Sequence, residues 1–321
     1  MAKITNTTIP ITPPSTPRPF QYNKSEINYE DVSIFENKKR SENDKNNKKR
    51  EDIIGCILND KIPKEYYDHS PEWQNLKQAL HIYVNNLCET KQIHSSSIEH
   101  ISCVHKAGRK HHYDLKLIIN HEFEFNLEFK FNAECVKDTP QFVSPMKPSK
   151  YLETSYEEYF YDNYLVSVLM KYGLTVPPRD EYLKDIHGPS PPNMVEAQMK
   201  YYNGCKKSSK YSGNPEDLDF YETMKKVAHD SIYSFIENNK LKSEILTDYL
   251  LETQKSKYYM LYKNGMFHLE TINQDEYIIS SVNKNPKMNR YDVVTKTGNK
   301  LKILLRWKNG NGIAYPSFQI S

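Results

Sequence analysis

The sequence predicts a mixed α/β (α+β) fold, with an α-β-β-β-α core near the beginning, a helical segment in the middle and an antiparallel β region at the C-terminus. Three observations predict it. Amphipathic helices flank three consecutive strand-like segments, long helical patterns fill the middle of the chain, and strand-like segments separated by turn dipeptides follow Lys257. We therefore expect four regions, which comprise residues 1–50, 51–175, 176–255 and 256–321.

The composition indicates a soluble protein that works inside a cell. Of the 321 residues, 37% are hydrophobic and 26% are charged, and no apolar run approaches the ~20 residues that span a bilayer. The N-terminus lacks the apolar stretch of a signal peptide. We expect no membrane partner and a location in the nucleus or the cytoplasm. The five widely spaced cysteines include no C-x-x-C pair, so they predict buried reduced thiols rather than a zinc finger or disulfides.

Residues 1–50 are predicted to form a disordered basic tail. Thr, Pro, Ser and Asn dominate its start and charged residues dominate its end. Its two basic triplets, Lys38-Lys39-Arg40 and Lys48-Lys49-Arg50, resemble a bipartite nuclear-localisation signal over residues 38–50. A basic arm that grips phosphate and a merely solvated tail are the alternatives. Order is expected to begin near residues 52–54.

The first predicted helix begins after Ser70, a plausible N-cap, with Pro71 at the first helical position. Apolar residues then recur at three- and four-residue steps and define one face: Trp73, Leu76, Leu80, Val84 and Leu87. Three strands are predicted next, over residues 98–104, 113–119 and 123–131. Thr154 and Glu157 form a capping box, which predicts a helix that runs to about residue 172.

The remaining regions are predicted from turn and cap signals. A helix is expected around residues 194–202, and Asn214-Pro215 begins a long helix over residues 216–238 that a shorter one follows. Asn264-Gly265 predicts a β-hairpin, and Gly298-Asn299 separates two later strands in the same way.

The strands at 113–119 and 123–131 carry the residues with chemistry. Their odd positions are apolar, and opposed residues of a hairpin must share a face. A three-residue loop over residues 120–122 satisfies this rule by placing Ile119 opposite Phe123. Asp114 then lies opposite Glu128, and Lys130 lies two residues further along the same face. A loop two residues longer or shorter would keep the parity and shift the pairing.

Two carboxylates that face each other across strands repel unless something neutralises them. A hard divalent cation with oxygen ligands would do so, and a neighbouring lysine could hold or deprotonate an attacking water. The alternative is that Glu128 and Lys130 simply solubilise the wet face of an amphipathic hairpin.

Asp114 followed by Glu128-Phe129-Lys130 resembles the PD-(D/E)XK signature of the restriction-endonuclease-like nuclease superfamily, although Tyr113 stands where a proline often precedes the aspartate. The resemblance covers residues 70–172, and the family shares an α-β-β-β-α-β core. It implies that Asp114 and Glu128 bind Mg²⁺, for which Mn²⁺ would substitute. It further implies that the Phe129 carbonyl contributes a ligand and that Lys130 assists the water.

Many members of this family add a carboxylate near the first helix. Glu89 and Glu99 are the equal candidates for that ligand here, and Glu72 is a third. Gln141 lies where some members place a polar active-site residue, although an ordinary loop amide is the alternative reading.

Several basic residues are candidates for binding nucleic acid, because Arg and Lys contacts to phosphate fix its register. One group precedes Asp114, one follows the third strand, and one lies near the C-terminus, where an aromatic ring could stack on a base. The alternatives are a solvated loop for the first group and a core position for the tryptophan. The candidates are Lys106, Arg109, Lys110, His111, Lys147, Lys150, Arg306, Trp307 and Lys308.

The resemblance implies a Mg²⁺-dependent endonuclease that hydrolyses DNA phosphodiester bonds, and it allows a homodimer. An RNA endonuclease or a junction-resolving enzyme would use the same site. A non-catalytic nucleic-acid-binding protein on a nuclease scaffold is the second alternative, and an unrelated α+β interaction protein is the third.

Overall fold

The structure is a computed structural model that describes residues 17–36, 40–106, 111–136, 145, 147–187, 192–205 and 213–321. The chain divides into two compact units, the first with residues 1–136 and 256–271 and the second with residues 137–255 and 272–321. Helices and mixed sheets together confirm the α+β class. Among the described residues, no helix is both long and apolar enough to cross a membrane.

The first unit contains seven strands and three α-helices among its described residues. Its elements are β1 (Phe20–Tyr22), β2 (Ser25–Ile27), α1 (Arg40–Leu58), α2 (Lys64–His69), α3 (Pro71–Glu89), β3 (Ile101–His105), β4 (Leu115–Ile119), β5 (Phe123–Phe131), β6 (Lys257–Lys263) and β7 (Met266–Glu270). Five strands form one sheet in the order β3-β4-β5-β6-β7, in which β5 and β6 are parallel and the other neighbours are antiparallel.

The register predicted for the central hairpin is confirmed. Ile119 pairs with Phe123, and Leu115 pairs with Leu127. Asn120 and His121 close the turn with φ angles of 53° and 60°, in the left-handed region that asparagine tolerates. The hairpin at Asn264-Gly265 is confirmed as well, because it joins β6 to β7.

Helix α3 begins as its sequence predicts, because the Ser70 hydroxyl accepts a hydrogen bond from the Trp73 backbone N–H at 3.2 Å. The predicted apolar face is buried throughout, with Trp73, Leu80 and Leu87 fully so. Tyr83 on the same helix donates to the Tyr259 carbonyl of β6, which attaches the helix to the sheet.

Ser70→Ala is expected to lower the free energy of unfolding by about 1 kcal/mol, because one N–H of the first turn loses its acceptor in a site that water does not reach. Chemical denaturation of the full chain measures the loss. Ser95→Ala in an exposed turn is the control and should change stability by less than about 0.5 kcal/mol. Equal effects of both substitutions would contradict a capping role for Ser70.

The prediction of a disordered tail over residues 1–50 is wrong for the described residues of that range. The segment 17–36 contributes Ile27 and Phe35 to the core, and α1 begins at Arg40. The charged residues at the end of the range 1–50 suggest disorder, but Lys48, Lys49 and Arg50 have partners within the fold. The buried Arg50 guanidinium lies 3.5 Å from the centre of the Phe131 ring and donates to the Ile34 carbonyl.

The second basic triplet is therefore part of a helix. Lys48 pairs with Asp52, Lys49 pairs with Asp31 at 2.6 Å, and Arg50 is buried. Lys38 and Lys39 of the first triplet lie outside the described residues. The nuclear-localisation signal stays a prediction, now with half of its basic residues engaged in the fold.

The second unit contains six α-helices and four strands among its described residues. Its elements are α4 (Tyr156–Phe160), α5 (Val166–Lys171), α6 (Arg179–Asp185), α7 (Val195–Asn203), α8 (Pro215–Asn238), α9 (Ser243–Gln254), β8 (Ile279–Asn285), β9 (Arg290–Thr295), β10 (Lys300–Trp307) and β11 (Pro316–Ile320). A π-helical turn, Tyr161–Leu165, joins α4 to α5. The strands form an antiparallel sheet in the order β11-β10-β9-β8.

The region boundaries differ from the prediction in two places. The helices expected to complete the region 51–175 belong to the second unit, whereas β6 and β7 join the first.

The N-cap of α4 is Ser155, whose hydroxyl accepts from the Glu158 N–H, so the capping box predicted at Thr154 is wrong by one residue. The Asn214 cap of α8 is confirmed, since its side chain accepts from the Glu216 N–H at 3.1 Å.

Candidate metal centre

Asp114 lies one residue before β4 and is fixed to β5 through both its backbone and its side chain. Its N–H donates to the Leu127 carbonyl at 2.9 Å, and its carboxylate accepts from the Phe129 N–H at 3.0 Å. Because the N–H and C=O of a strand residue point to the same side, the Phe129 carbonyl lies on the Asp114 side of β5. The predicted approach of Asp114 to the Glu128-Phe129-Lys130 segment is confirmed.

Glu128 is a buried carboxylate that two lysines hold. Only 8% of the residue is exposed, and a buried charge needs such partners. Lys130 donates to Oε1 at 2.7 Å and Lys257 donates to Oε2 at 3.4 Å. The Lys257 side chain is 1% exposed and also donates to the His112 carbonyl at 2.8 Å. Lys257 thus ties Glu128 to the loop that carries Asp114.

Lys257 is a site residue that sequence reasoning missed. It begins β6, which pairs with β5 in parallel, and it lies opposite Asn126 in the ladder. A parallel partner strand comes from far along the chain, here 129 residues away. A lysine at the start of a strand whose five central residues are aromatic or apolar, Lys257–Lys263, was the local signal.

Glu51 on α1 is the second missed residue. Burial, together with the negative charge of Asp114, raises the pKa of its carboxyl to about 7, with Lys48 acting in the opposite direction. Glu51 is therefore a helix carboxylate whose charge interacts with that of Asp114. It escaped notice because order was expected to begin only near residues 52–54, and the first helix was expected only after Ser70.

The neighbouring Asp52 fixes α1, and therefore Glu51, against the N-terminal hairpin. Asp52 is fully buried. It accepts hydrogen bonds from the Ser25 hydroxyl at 2.5 Å and the Asn23 amide at 3.2 Å, and it pairs with Lys48. Lys48 also reaches Glu51 at 3.4 Å. This network explains how a helix near the N-terminus presents a carboxylate to the sheet.

Asp114 shares the electrostatic strain of the site. Burial raises the pKa of Asp114 to about 6, and the charge of Glu128 adds to the shift, while Lys130, the Phe129 N–H and Lys257 oppose it. Burial likewise lowers the pKa of Lys257, against the attraction of Glu128. Strongly shifted carboxyls gathered in one place are typical of functional sites.

The three carboxylates proposed from sequence as additional ligands lie elsewhere. Glu99 donates its N–H to the Asn120 side chain at the hairpin turn, about 20 Å along the strands from Asp114. Glu89 is exposed at the end of α3, and Glu72 accepts from the Ser70 hydroxyl at the start of that helix. Glu89 and Glu99 are therefore corrected to surface positions, and Glu51 replaces them as the candidate.

The basic residues proposed from sequence fall into different places. The Lys106 N–H donates to the Asp114 carbonyl, and the His111 ring packs near Tyr113 with centroids 5.4 Å apart, so both flank the site. Arg109, Lys110 and Gln141 lie outside the described residues.

The remaining nucleic-acid candidates belong to the second unit. Lys147 is the N-cap of a short helical turn, Pro148–Tyr151, and Lys150 lies within that turn. Trp307 is 2% exposed and its Nε1–H donates to the Tyr156 hydroxyl at 2.7 Å, so it is a core residue and its proposed stacking on a base is wrong. Lys308 is exposed and lies over the Tyr315 ring, and Arg306 is half-buried.

Within the described parts of the chain, no group of three His, Cys, Asp or Glu side chains is arranged to hold a metal ion. The contacts of Glu128 give the physical reason, because both of its oxygens are engaged by lysines. The donor chemistry nevertheless suits a hard cation, since Asp114, Glu128 and Glu51 offer carboxylate oxygens, of which Glu128 is buried while the half-buried Asp114 and Glu51 have raised pKa values. A cation would replace the Lys130 contact to Glu128.

The chain matches no protein-family model, no curated protein and no solved structure.

Proposed function

We propose that this chain is a metal-dependent endonuclease that hydrolyses DNA phosphodiester bonds at Asp114, Glu128 and Lys130, with Glu51 as an added carboxylate. The observation that carries the proposal is the convergence of these residues. A carboxylate on one strand is hydrogen-bonded to the backbone of the E-x-K segment on the next, and a helix carboxylate lies near enough to repel it. Chance surface placement would leave these charges apart and hydrated.

The first unit also supports a restriction-endonuclease-like core. Helices precede three antiparallel strands, and a fourth strand, β6, adds in parallel beside the strand that bears Glu128 and Lys130. The chain departs from the α-β-β-β-α-β pattern between β5 and β6, where residues 137–255 of the second unit stand in place of the expected helix.

The side chains have distinct roles in this proposal. Asp114, Glu128 and Glu51 would hold Mg²⁺ or Mn²⁺, and the Phe129 carbonyl faces the same side. The bound cation would acidify a water and offset charge on the scissile phosphate. The Lys130 ammonium group, which donates a hydrogen bond to Glu128, would hold the attacking water. Lys257, which is buried, keeps Glu128 in place while Lys130 changes partner.

DNA is proposed as the substrate because the resembled family mostly cuts DNA; RNA or a branched junction would use the same chemistry. One observation favours the non-catalytic alternative, namely that two lysines neutralise Glu128. Lys257 alone would balance the charge of Glu128. The contact from Lys130 to Glu128 is therefore the one that a cation would displace.

Cleavage of supercoiled plasmid with Mg²⁺, Mn²⁺ or EDTA tests the proposal. We expect nicking or linearisation only with metal, and Lys130→Ala should slow it about 10²-fold or more because the water loses its positioning group. The matched control is Lys116→Ala on the same sheet face, whose ammonium pairs with Glu124 at 2.6 Å rather than with Glu128. The control should cleave like the parent protein.

Two outcomes would contradict the proposal. Metal-dependent cleavage that Lys130→Ala leaves unchanged would remove the site as drawn. Absence of cleavage of plasmid DNA, of RNA and of four-way junctions with either metal would favour the binding protein on a nuclease scaffold.

A further inference from the structure

The C-terminal sheet of the second unit is much more basic than the chain as a whole. Residues 279–321 contain one acidic residue, Asp292, whereas the net charge of the full chain is only +3. The basic residues of the segment are Lys284, Lys287, Arg290, Lys296, Lys300, Lys302, Arg306 and Lys308. The excess of positive charge is therefore concentrated in this segment.

The alternation of the strands sorts these residues onto one face. On β10 the odd positions Ile303, Leu305 and Trp307 are buried, so the even positions point away from the core. Lys300 and Lys302 on that outer side are exposed. The register carries the same face across the sheet, since Lys302 pairs with Asp292 and Leu304 pairs with Arg290 on β9.

Polar side chains continue this face on both sides of the basic row. Asn283 and Asn285 of β8 pair with Asp292 and Arg290, and Gln319 of β11 pairs with Leu304. We name this surface the basic sheet face and define it by these residues: Asn283, Asn285, Arg290, Asp292, Lys300, Lys302, Leu304, Arg306 and Gln319.

Only one positive charge of the basic sheet face, that of Arg290, is neutralised by a carboxylate of the face itself. The one carboxylate, Asp292, is taken by Arg290 at 2.7 Å and by the Asn285 amide at 2.7 Å. Within the described residues, Lys300 and Lys302 form no ion pair, and the buried Arg306 Nε has no hydrogen-bond partner. A face that only solubilises a sheet would mix both signs of charge.

The spacing of the row suits a polyanion. Lys300, Lys302 and Arg306 lie along one strand over roughly 20 Å, since each residue of a strand advances about 3.4 Å. One strand of DNA carries about six phosphates over that length. The amides of Asn283 and Gln319 beside the row are groups that donate to phosphate or sugar oxygens.

We propose that the basic sheet face binds the sugar-phosphate backbone of duplex DNA. The proposal deepens the proposed nuclease function by naming the surface of the second unit that holds the substrate, but it rests on charge and geometry in that unit alone. Binding through this face requires neither the carboxylates of the first unit nor a metal ion.

The test is the salt dependence of DNA binding by the full-length chain. A fluorescent 25-base-pair duplex would be titrated by anisotropy in EDTA at several NaCl concentrations, with the parent protein and with Lys300→Gln/Lys302→Gln. Each phosphate contact adds about 0.9 to the slope of log affinity against log salt. We expect the slope to fall by about two and the affinity at 0.1 M salt to fall roughly 50-fold.

The matched control is Lys226→Gln/Lys255→Gln, which removes the same charge from α8 and from the C-cap of α9 in the same unit, where the two side chains are 78% and 67% exposed. Its slope should stay at the parent value. Equal slopes for the sheet variant and the control would overturn the proposal. A loss seen with an RNA duplex but not with DNA would overturn the assignment to DNA.

The outcomes separate this proposal from the nuclease. If the chain never cleaves DNA but its sheet variant still loses two phosphate contacts, the nuclease proposal fails while the basic sheet face stands.

Discussion

Asp114→Asn is expected to lower the rate of Mg²⁺-dependent DNA cleavage by about 10³-fold or more. The asparagine oxygen can still accept from the Phe129 N–H, which now meets the aspartate at 3.0 Å, so the local fold should persist. The lost negative charge removes a cation ligand, and losing several kcal/mol of transition-state stabilisation corresponds to a factor of this size. Single-turnover cleavage of a labelled duplex at pH 8 measures it.

The control for this substitution is Asp60→Asn. Asp60 belongs to the same unit, its side chain is 88% exposed, and its nearest cation is Lys77 at 3.6 Å. The control variant should cleave at the parent rate. Parent activity in Asp114→Asn would show that any cleavage comes from another site or from a contaminant.

Glu51→Gln should behave differently from Asp114→Asn if Glu51 adds a ligand without being essential. We expect its cleavage rate to recover substantially as Mg²⁺ is raised, whereas the rate of Asp114→Asn should stay low at every Mg²⁺ concentration. The split distinguishes weakened metal affinity from loss of the reactive arrangement.

The hairpin that carries Asp114 and Glu128 could be predicted because it is local. Parity of apolar residues and a short loop define its register, and the structure has that register. The N-caps of α3 and α8 could be predicted for the same reason, since a cap involves residues within three positions of each other.

What the sequence could not reveal depends on distant partners. Glu51 lies on a helix whose charge resembles that of a disordered segment, and only burial of Arg50 against Phe131 and of Asp52 among its donors makes that segment fold. Lys257 reaches Glu128 through the parallel pair of β5 and β6, and β6 follows residues 137–255 of the second unit. Neither the position of Glu51 nor the contact of Lys257 with Glu128 produces a hydrophobic periodicity or a motif spacing that could be recognised in the sequence.

The same electrostatic strain predicts how the thermal stability of the protein responds to pH and metal. The pKa of Asp114 is about 6 and that of Glu51 about 7, both above their ordinary values. Between about pH 4 and pH 7 the folded protein therefore binds more protons at these groups than the unfolded chain does. Their contribution to stability falls as the pH rises through this window and stays low above it.

Asp114→Asn removes one of the repelling charges, so the variant should be more stable than the parent protein in EDTA at pH 8. Partial exposure of Asp114 limits the gain to about 1–2 kcal/mol, which is a few degrees in Tm. At pH 5 the difference should shrink, because Asp114 is then largely protonated in the parent protein. Asp60→Asn, as the control, should follow the parent at both pH values.

Mg²⁺ should reverse this order. At pH 8 a concentration 100 times the Kd would stabilise the parent protein by about 2.7 kcal/mol, whereas Asp114→Asn should gain little, since its ligand set has lost a charge. At pH 5 the parent should also gain little, because protons compete with the cation for Asp114 and Glu51. Thermal melts of both proteins with Mg²⁺ and with EDTA at the two pH values give all the comparisons. A parent Tm that Mg²⁺ leaves unchanged at pH 8, together with no gain from Asp114→Asn in EDTA, would show that these carboxylates are not held in the strained arrangement that a cation relieves.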